Sequence, residues 1–212
     1  MTSQAYQDFE DRFSNVNQLL DAHSALTRLR RAEAAWARHG GNLANLGDVI
    51  NHLVSHPGRG RPYEVHALNN AAIALLSAHF QGYLTDIFSE TVRQLLHGYV
   101  EDDETVVNAA PTRGNPNQQN INRLFAGIGF ADVVSQVSWQ RMSNESVKRN
   151  LRELNELRNR IVHGTSENVN KSRVRSFYHF VLNFALRLDR LLHQKLLEVT
   201  GREPWNLDDG AG

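Results

Sequence analysis

Hydrophobic residues recur along the chain at steps of three and four, and the strict alternation that marks a half-buried strand is absent. This period is that of an α-helix with one buried face. Ser143 or Asn144 is a suitable cap for one of these helices, while Gly164 and Gly201 are suitable stops. The pattern predicts four long helices over about residues 3–39, 63–97, 144–163 and 170–199, and shorter ones over 43–53, 118–126 and 131–137.

The connections are polar and rich in Pro, Gly and Asn, above all residues 98–116, which begin with an acidic run and are predicted to form a loop. Neither an internal repeat nor a change of composition divides the chain. We therefore expect one all-α domain over residues 1–205, a bundle of four longer helices with short helices in the connections, and a flexible tail at 206–212.

Charge is balanced over the whole chain but not within it. Lys plus Arg and Asp plus Glu both total 23, so net charge does not favour a polyanionic partner. Between residues 141 and 175, however, basic residues clearly outnumber the glutamates. This excess predicts either a local anion-binding surface or ordinary solvated helix faces. The basic residues are Arg141, Lys148, Arg149, Arg152, Arg158, Arg160, Lys171, Arg173 and Arg175.

Several classes of chemistry are excluded. The chain has no cysteine, which rules out disulfides, thiolate zinc sites and thiol nucleophiles. His52 and His56 are four residues apart, but no third ligand lies near them, so we expect no metal site. The N-terminal residues are polar and acidic, and no stretch approaches the roughly 18 apolar residues of a membrane span, so a cytoplasmic protein without a membrane partner is expected.

Arg158 occupies an unexpected position on its helix. At about 100° per residue it lies about 20° from Val147, in the middle of the apolar side. A buried guanidinium without a partner costs several kcal/mol, so Arg158 should reach solvent, pair with an acidic residue of a neighbouring helix, or lie at an interface. The apolar residues on that side are Val147, Leu151, Leu154, Ile161 and Val162.

His163 lies five residues after Arg158, at the predicted end of the same helix. The partial negative charge of the terminal carbonyl groups favours a protonated imidazole, and a histidine that titrates near neutrality suits proton transfer. The alternative is a purely structural helix cap. On an ideal helix the two side chains diverge, so either the last turn unwinds or they meet across an interface.

The segment Leu157–Gly164 resembles the R-x(4–6)-H motif of the HEPN superfamily, with Asn159 at the position of the polar residue that commonly follows the arginine. Ala71–Asp86 and Thr200–Trp205 resemble the branch named RiboL-PSP-HEPN, so the resemblance covers about residues 63–205. Gln81 departs from it, because this position is often acidic in relatives.

The resemblance implies a helical bundle that dimerises with both motifs lining one cleft, and a metal-independent endoribonuclease without a cofactor. Arg158 would stabilise charge on the phosphorus centre, His163 would carry a proton, and Asn159 would orient the phosphate or the imidazole. His79 and Tyr83 are candidates for lining the cleft, although His79 also suits a hydrogen-bonded core position. The residues expected to bind RNA are Lys148, Arg149, Arg152, Arg160, Lys171, Arg173 and Arg175.

The expected function is that of a homodimeric endoribonuclease in a toxin or phage-defence role, with RNA as substrate and a cognate antitoxin or defence-system protein as a further partner. One alternative is a non-catalytic HEPN module that binds RNA, a nucleotide or a protein. The other is a structural helical subunit of a larger complex.

Overall fold

Helices form the architecture of the described part of the chain. The computed structural model describes residues 2–38, 50, 66–97, 115–164 and 167–205, and within these ranges it contains no strand. The expected all-α bundle of four long helices is confirmed. The helices are α1 (Gln4–Arg38), α2 (His66–Leu96), α3 (Gln118–Ala126), a 3-10 helix (Val133–Gln136), α4 (Asn144–Val162) and α5 (Lys171–Thr200).

The shorter predicted helices have different outcomes. The helix over residues 118–126 is confirmed at both ends. The one expected over 131–137 is instead a four-residue 3-10 helix, because Asp132 adopts a left-handed conformation with φ 51° and Val137 is already extended. The predicted helix at 43–53, the loop at 98–114 and the tail at 206–212 lie outside the described residues, apart from Ile50.

Helix α2 is the centre of the bundle and packs against α1, α3, α4 and α5. Because neighbours surround it, it buries residues over much of its circumference, as a central helix must. Aromatic rings join α1 to two other helices: the ring of Phe9 lies 5.0 Å from that of Tyr83 in α2, and the ring of Phe13 lies 4.6 Å from that of Tyr178 in α5. The buried residues of α2 include Ile73, Leu76, Phe80, Tyr83, Ile87 and Phe88.

The start of α1 is held by carboxyl groups from two other helices. Glu90 of α2 accepts the backbone N–H groups of Gln4 and Ala5 at 3.2 and 2.9 Å. Asp189 of α5 accepts the N–H and the hydroxyl of Ser3, and the Ser3 hydroxyl in turn accepts the N–H of Tyr6. The N–H groups that begin a helix lack intrahelical partners, so these bonds satisfy them and fix α1 against the bundle.

The segment after α5 turns back onto the bundle. Gly201 ends the helix with φ 67°, and Trp205 is buried within the hydrophobic core. Arg202 reaches the carbonyl group of Gln94 near the end of α2. In the described part of the chain, every helix is too short or too polar to cross a membrane.

Asp189 provides a test of this arrangement. Burial raises the pKa of Asp189 above its ordinary value, an effect only partly offset by the hydrogen bonds from Ser3. The folded state therefore holds its proton to higher pH than the unfolded state, and this group's contribution to stability falls as pH rises above about 4. Asp189→Asn should remove that contribution, so the stability of wild type relative to the variant should be greatest in acid and decline towards neutral pH. Denaturant unfolding, followed by circular dichroism at several pH values, measures the free energy of unfolding of both proteins.

Asp11→Asn is the matched control, because Asp11 is exposed on α1, and it should follow wild type at each pH. Asp189→Ala should lower the free energy of unfolding by about 1–3 kcal/mol, since it leaves the buried donors of Ser3 without an acceptor. A constant difference between wild type and Asp189→Asn across pH 4–7 would contradict the assignment.

Candidate functional site

Helix α4 carries the candidate residues, and its two ends match the sequence prediction. The hydroxyl of Ser143 caps the first turn by accepting the N–H of Ser146. At the other end His163 is the C-cap, and Gly164 follows with φ 79°, a conformation that glycine adopts readily. His163 is therefore a helix-capping residue by position, which leaves its exposed side chain available for chemistry.

Arg158 is half-buried on the apolar side of α4. Its Nη1 donates to Oδ1 of Asn159 at 3.1 Å. Among the described residues, no carboxylate forms an ion pair with it, so the alternative of a salt bridge to a neighbouring helix is not supported there. The guanidinium keeps donors that an anion can take up.

Asn159 connects Arg158 to a residue that the sequence analysis missed. Its Oδ1 also accepts Nδ2 of Asn115 at 2.8 Å. Because a guanidinium can only donate, the atom facing Arg158 must be the oxygen, and Asn115 must then present its NH₂ group. The NH₂ group of Asn159 is left for a ligand, since no described acceptor is paired with it.

Asn115 is itself held by the start of α3. Its carbonyl group accepts Nδ2 of Asn120 at 2.9 Å and the N–H of Asn117 at 2.8 Å. The Asn117 side chain caps α3 by accepting the N–H of Asn120. The only sequence signal here was the Asn–Pro–Asn stretch, which predicts a turn but not its contact with α4.

The side chains of Arg158 and His163 diverge within one chain. The N–H of His163 donates to the carbonyl of Asn159 at 2.9 Å, so α4 stays regular to its end and the last turn does not unwind. At about 100° per residue, the two side chains leave the axis about 140° apart, whereas Asn159 and His163 are about 40° apart. The unwound last turn, one of the two alternatives left open by the sequence, is therefore not observed.

Val162 was expected on the buried side of α4 and is instead 52% exposed. The buried sector is rotated towards Leu157, which is fully buried, so Val162 falls at its uncovered edge. Ile161 is also only partly buried. The end of α4 therefore presents hydrocarbon and the half-buried Arg158 together.

A groove of about 300 Å³ lies between α4 and the first turn of α3. Its α4 wall follows the side of the helix that leads to Asn159 and, one turn further, towards His163. Amide, cationic and acidic side chains all contribute to it. The lining residues are Asn117, Gln118, Gln119, Lys148, Arg152, Asn155, Glu156 and Asn159.

The expected RNA-binding residues have different surroundings in the structure. Lys148 and Arg152 line the groove, while Arg149 pairs with Glu153 elsewhere on α4 and Arg160 pairs with Glu167 at 2.6 Å. The exposed Arg173 and Arg175 lie near the start of α5, where the guanidinium of Arg173 is 5.8 Å from the ring centre of Phe177.

Lys171 does not present a free ammonium group to a ligand. Its Nζ donates to the carbonyl of Leu20 at 2.8 Å and to the hydroxyl of Ser24, which joins the start of α5 to α1. Burial and the nearby charge of Arg175 lower the pKa of Lys171. We therefore assign Lys171 a structural role and do not retain it among the RNA-binding candidates.

Tyr83 is fully buried and belongs to the core, not to a cleft. Its hydroxyl donates to the carbonyl of Ala185 at 2.9 Å, and burial raises the pKa of Tyr83 well above its ordinary value. His79 is half-buried, and its Nε2 has no hydrogen-bond partner among the described residues, so the expected core hydrogen bond is not made at that atom. Burial, with the charge of Arg12, lowers the pKa of His79.

No group of three or more metal-ligating side chains occurs within the residues that the structure describes. His52 and His56 lie outside them, so the structure does not bear on that pair.

Comparison with known proteins supports the resemblance seen in the motif. A model of the RiboL-PSP-HEPN family matches residues 90–194, from the end of α2 to most of α5, and includes Arg158, Asn159 and His163. The match does not extend to Ala71–Asp86 or Thr200–Trp205. Searches of curated proteins and of solved structures give no significant match. The chain thus contains a RiboL-PSP-HEPN domain and belongs to the HEPN superfamily.

Proposed function

We propose that this chain is a metal-independent endoribonuclease that works as a homodimer. The observation that carries the proposal is the half-buried guanidinium of Arg158, which lacks a described carboxylate partner and is held by Asn159. A fixed cation that is partly shielded from water binds a phosphate more strongly than a fully solvated one. The family match supports ribonuclease chemistry at this motif.

In the proposed reaction the 2′-hydroxyl oxygen of a ribose attacks the adjacent phosphorus and the bond from phosphorus to the 5′-oxygen breaks. The products are a 2′,3′-cyclic phosphate and a 5′-hydroxyl. His163 takes the proton of the attacking 2′-hydroxyl and, once protonated, gives a proton to the leaving 5′-oxygen. Arg158 stabilises the charge on the phosphorane, and the free NH₂ group of Asn159 orients a phosphate oxygen.

A dimer supplies what one chain lacks. Two copies related by a two-fold axis place two sets of these residues along one cleft. They also allow Arg158 of one protomer to face His163 of its partner, whereas within one protomer the two side chains leave the helix axis about 140° apart. The exposed Val162 is suited to burial in such a contact.

Uncontrolled cleavage of cellular RNA harms the cell that performs it. The proposal therefore includes a toxin or phage-defence role, with a cognate antitoxin or defence-system protein that restrains the activity. This part of the proposal is inferred from the roles that are common in the family. We propose that the enzyme meets its RNA substrate in the cytoplasm.

Removing either candidate catalytic group should abolish most activity. Arg158→Ala and His163→Ala should each lower the rate of RNA cleavage by about 10²–10³-fold, because they remove charge stabilisation and proton transfer respectively. Labelled RNA incubated with purified protein in EDTA, followed by analysis of the fragment ends, measures this. RNA integrity after induced expression of wild type beside Arg158→Ala tests the same point in cells.

Arg187→Ala is the matched control, because Arg187 is an exposed arginine of α5 outside the basic segment, and it should cleave as wild type does. All variants should keep the helical circular dichroism signal. Cleavage by the Arg158→Ala/His163→Ala double variant at the wild-type rate would refute the nuclease proposal, and RNA binding without cleavage in the wild type would favour the non-catalytic module.

Mixed dimers should reveal whether the site is shared between protomers. When Arg158→Ala and His163→Ala chains are co-expressed in equal amounts, half of the dimers are mixed, and each mixed dimer holds one intact pairing across the interface. The mixture should therefore regain about a quarter of wild-type activity, although each variant alone is inactive. Two affinity tags allow the mixed dimers to be purified and assayed.

A site formed within one protomer predicts no recovery, since every site in the mixed dimer would then lack one group. Mixed dimers as inactive as the parent variants would exclude a shared site while leaving the proposed chemistry intact.

Asn115 should act as a positioning residue through Asn159. Asn115→Ala removes the donor that orients Asn159 and should lower the cleavage rate by about 10-fold, with the affinity for RNA unchanged. In an Asn159→Ala background the same change should have no further effect, because the bond is already absent. The single-turnover rates of wild type, the two single variants and the double variant complete this double-mutant cycle. Additive losses of rate would show that Asn115 acts in some other way.

A further inference from the structure

Helices α1 and α5 run in opposite directions where they meet at the start of α5. Nδ2 of Asn17 donates to the hydroxyl of Tyr178 at 2.9 Å. Earlier in α5, Nζ of Lys171 donates to acceptors later in α1, the carbonyl of Leu20 and the hydroxyl of Ser24. At about 100° per residue, one side of each helix faces this contact, which we call the α1–α5 seam. Its side chains are Asn17, Asp21, Ser24 and Arg28 of α1, and Lys171, Arg175 and Tyr178 of α5.

The charged side chains of the α1–α5 seam are mostly basic. Arg175 lies one turn after Lys171 on the same side of α5, and Arg28 lies one turn after Ser24 on the same side of α1. Arg175 is exposed and Arg28 is half-buried, and neither forms an ion pair with a described residue. The exposed Asp21 is the acidic residue of the seam, so two net positive charges remain.

These positive charges act on one another. Burial lowers the pKa of Lys171, and the charges of Arg175 and Arg28 lower it further, while Asp21 partly offsets them. The ammonium group of Lys171 is held by its two acceptors on α1, so it stays among these charges. Like charges fixed near one another destabilise the folded protein, and an anion bound among them removes that repulsion. The seam is therefore suited to bind an anion.

The α1–α5 seam is close in the chain to the candidate catalytic residues. Lys171 follows His163 by eight residues, which an extended chain spans in at most about 28 Å. The side chains of Asn69 and Asn70 hold the connection between α4 and α5 against the start of α2. An RNA strand bound at His163 can therefore reach the seam with phosphates that lie several nucleotides from the cleaved bond.

We propose that the α1–α5 seam binds the phosphate backbone of RNA away from the cleaved bond, with the guanidinium groups of Arg28 and Arg175 each taking a phosphate. The identity of the polyanion rests on the proposed function. A guanidinium pairs two oxygens of one phosphate, which an exposed or half-buried arginine without a carboxylate partner can do. Lys171 holds the two helices together and adds positive charge, but its bonds to α1 keep it from serving as a phosphate ligand.

This site would extend the RNA-binding surface beyond the family domain. The family model matches residues 90–194, which include Arg175 and exclude all of α1, so Arg28 is a contribution of this chain outside the matched region. RNA is favoured over an acidic protein because the proposed reaction already requires an RNA strand near the start of α5.

Binding measured without cleavage tests the seam separately from the nuclease proposal. In a His163→Ala background, a labelled RNA of about 16 nucleotides is titrated with protein at several salt concentrations and followed by fluorescence anisotropy. Arg28→Ala and Arg175→Ala should each weaken binding by about 3–10-fold, equally for oligo(A), oligo(C) and oligo(U). Each should also reduce the slope of log affinity against log salt by about 1, because one phosphate contact is lost.

Asp21→Asn should have the opposite effect. It removes the negative charge of the seam, so the same RNA should bind about 2–3-fold more tightly. Asp11→Asn is the matched control, because Asp11 is exposed on α1 outside the seam, and it should leave the affinity unchanged. A loss of affinity in Asp21→Asn would contradict the proposed site.

Arg30→Ala is the matched control for Arg28→Ala. Arg30 is an exposed arginine on the opposite side of α1, so its removal should leave RNA affinity unchanged. Arg28→Lys keeps the charge and should retain most of the affinity, and all variants should keep the helical circular dichroism signal. Equal losses in Arg30→Ala and Arg28→Ala would overturn the site, since they would show an effect of net charge alone.

The outcomes separate this proposal from the proposed function. Unchanged RNA affinity in both Arg28→Ala and Arg175→Ala, or no RNA binding by the parent protein, would overturn the seam as an RNA site. If both variants weaken RNA binding but wild type cleaves no RNA, the seam proposal stands and the nuclease proposal fails. If wild type cleaves RNA and neither variant changes its binding, the nuclease proposal stands and the seam proposal fails.

Discussion

A guanidinium carries five N–H donors and stays charged at any physiological pH, so a half-buried arginine must find acceptors or disrupt its surroundings. In Arg158 one donor is directed to Asn159, and within the described residues no carboxylate takes the others. Packing alone would favour hydrocarbon at this place on α4, between Leu154 and Ile161. In the proposed enzyme, a ligand anion or the surface of a second chain would offset the lost hydration.

The surrounding fold keeps that arginine and the end of its helix in place. Two asparagines at the start of α2 donate to the connection after α4, Asn69 to the carbonyl of Val169 at 2.7 Å and Asn70 to that of Glu167 at 3.2 Å. The carboxylate of Glu167 also pairs with Arg160. Since α2 is the central helix, these bonds tie the segment after His163 to the middle of the bundle, which suits the fixed position that the proposed reaction requires of His163.

Local patterns predicted the helices well because their period, caps and stops are short-range properties. Gly164 and Ser143 each take the role that their residue type favours. The site was less predictable, because its decisive contacts join distant segments, as in the bond between Asn115 and Asn159 or that between Lys171 and Leu20. A helical wheel gives the direction of a side chain but not what covers it. For this reason it placed Arg158 correctly on the apolar side and failed to foresee that Val162 is exposed.

The directions in which side chains leave α4 determine how the groove, the candidate catalytic residues and the proposed dimer are arranged. The groove wall, Asn159 and His163 follow one side of the helix, whereas Arg158 points away from His163. In the proposed enzyme, an RNA strand that passes Asn159 presents its phosphate to His163 at the end of α4. The imidazole there belongs to the same protomer as the groove, and the guanidinium that faces it belongs to the partner. Catalysis would then require two chains, so a partner that separates the dimer would stop cleavage without covering the residues of either active-site set.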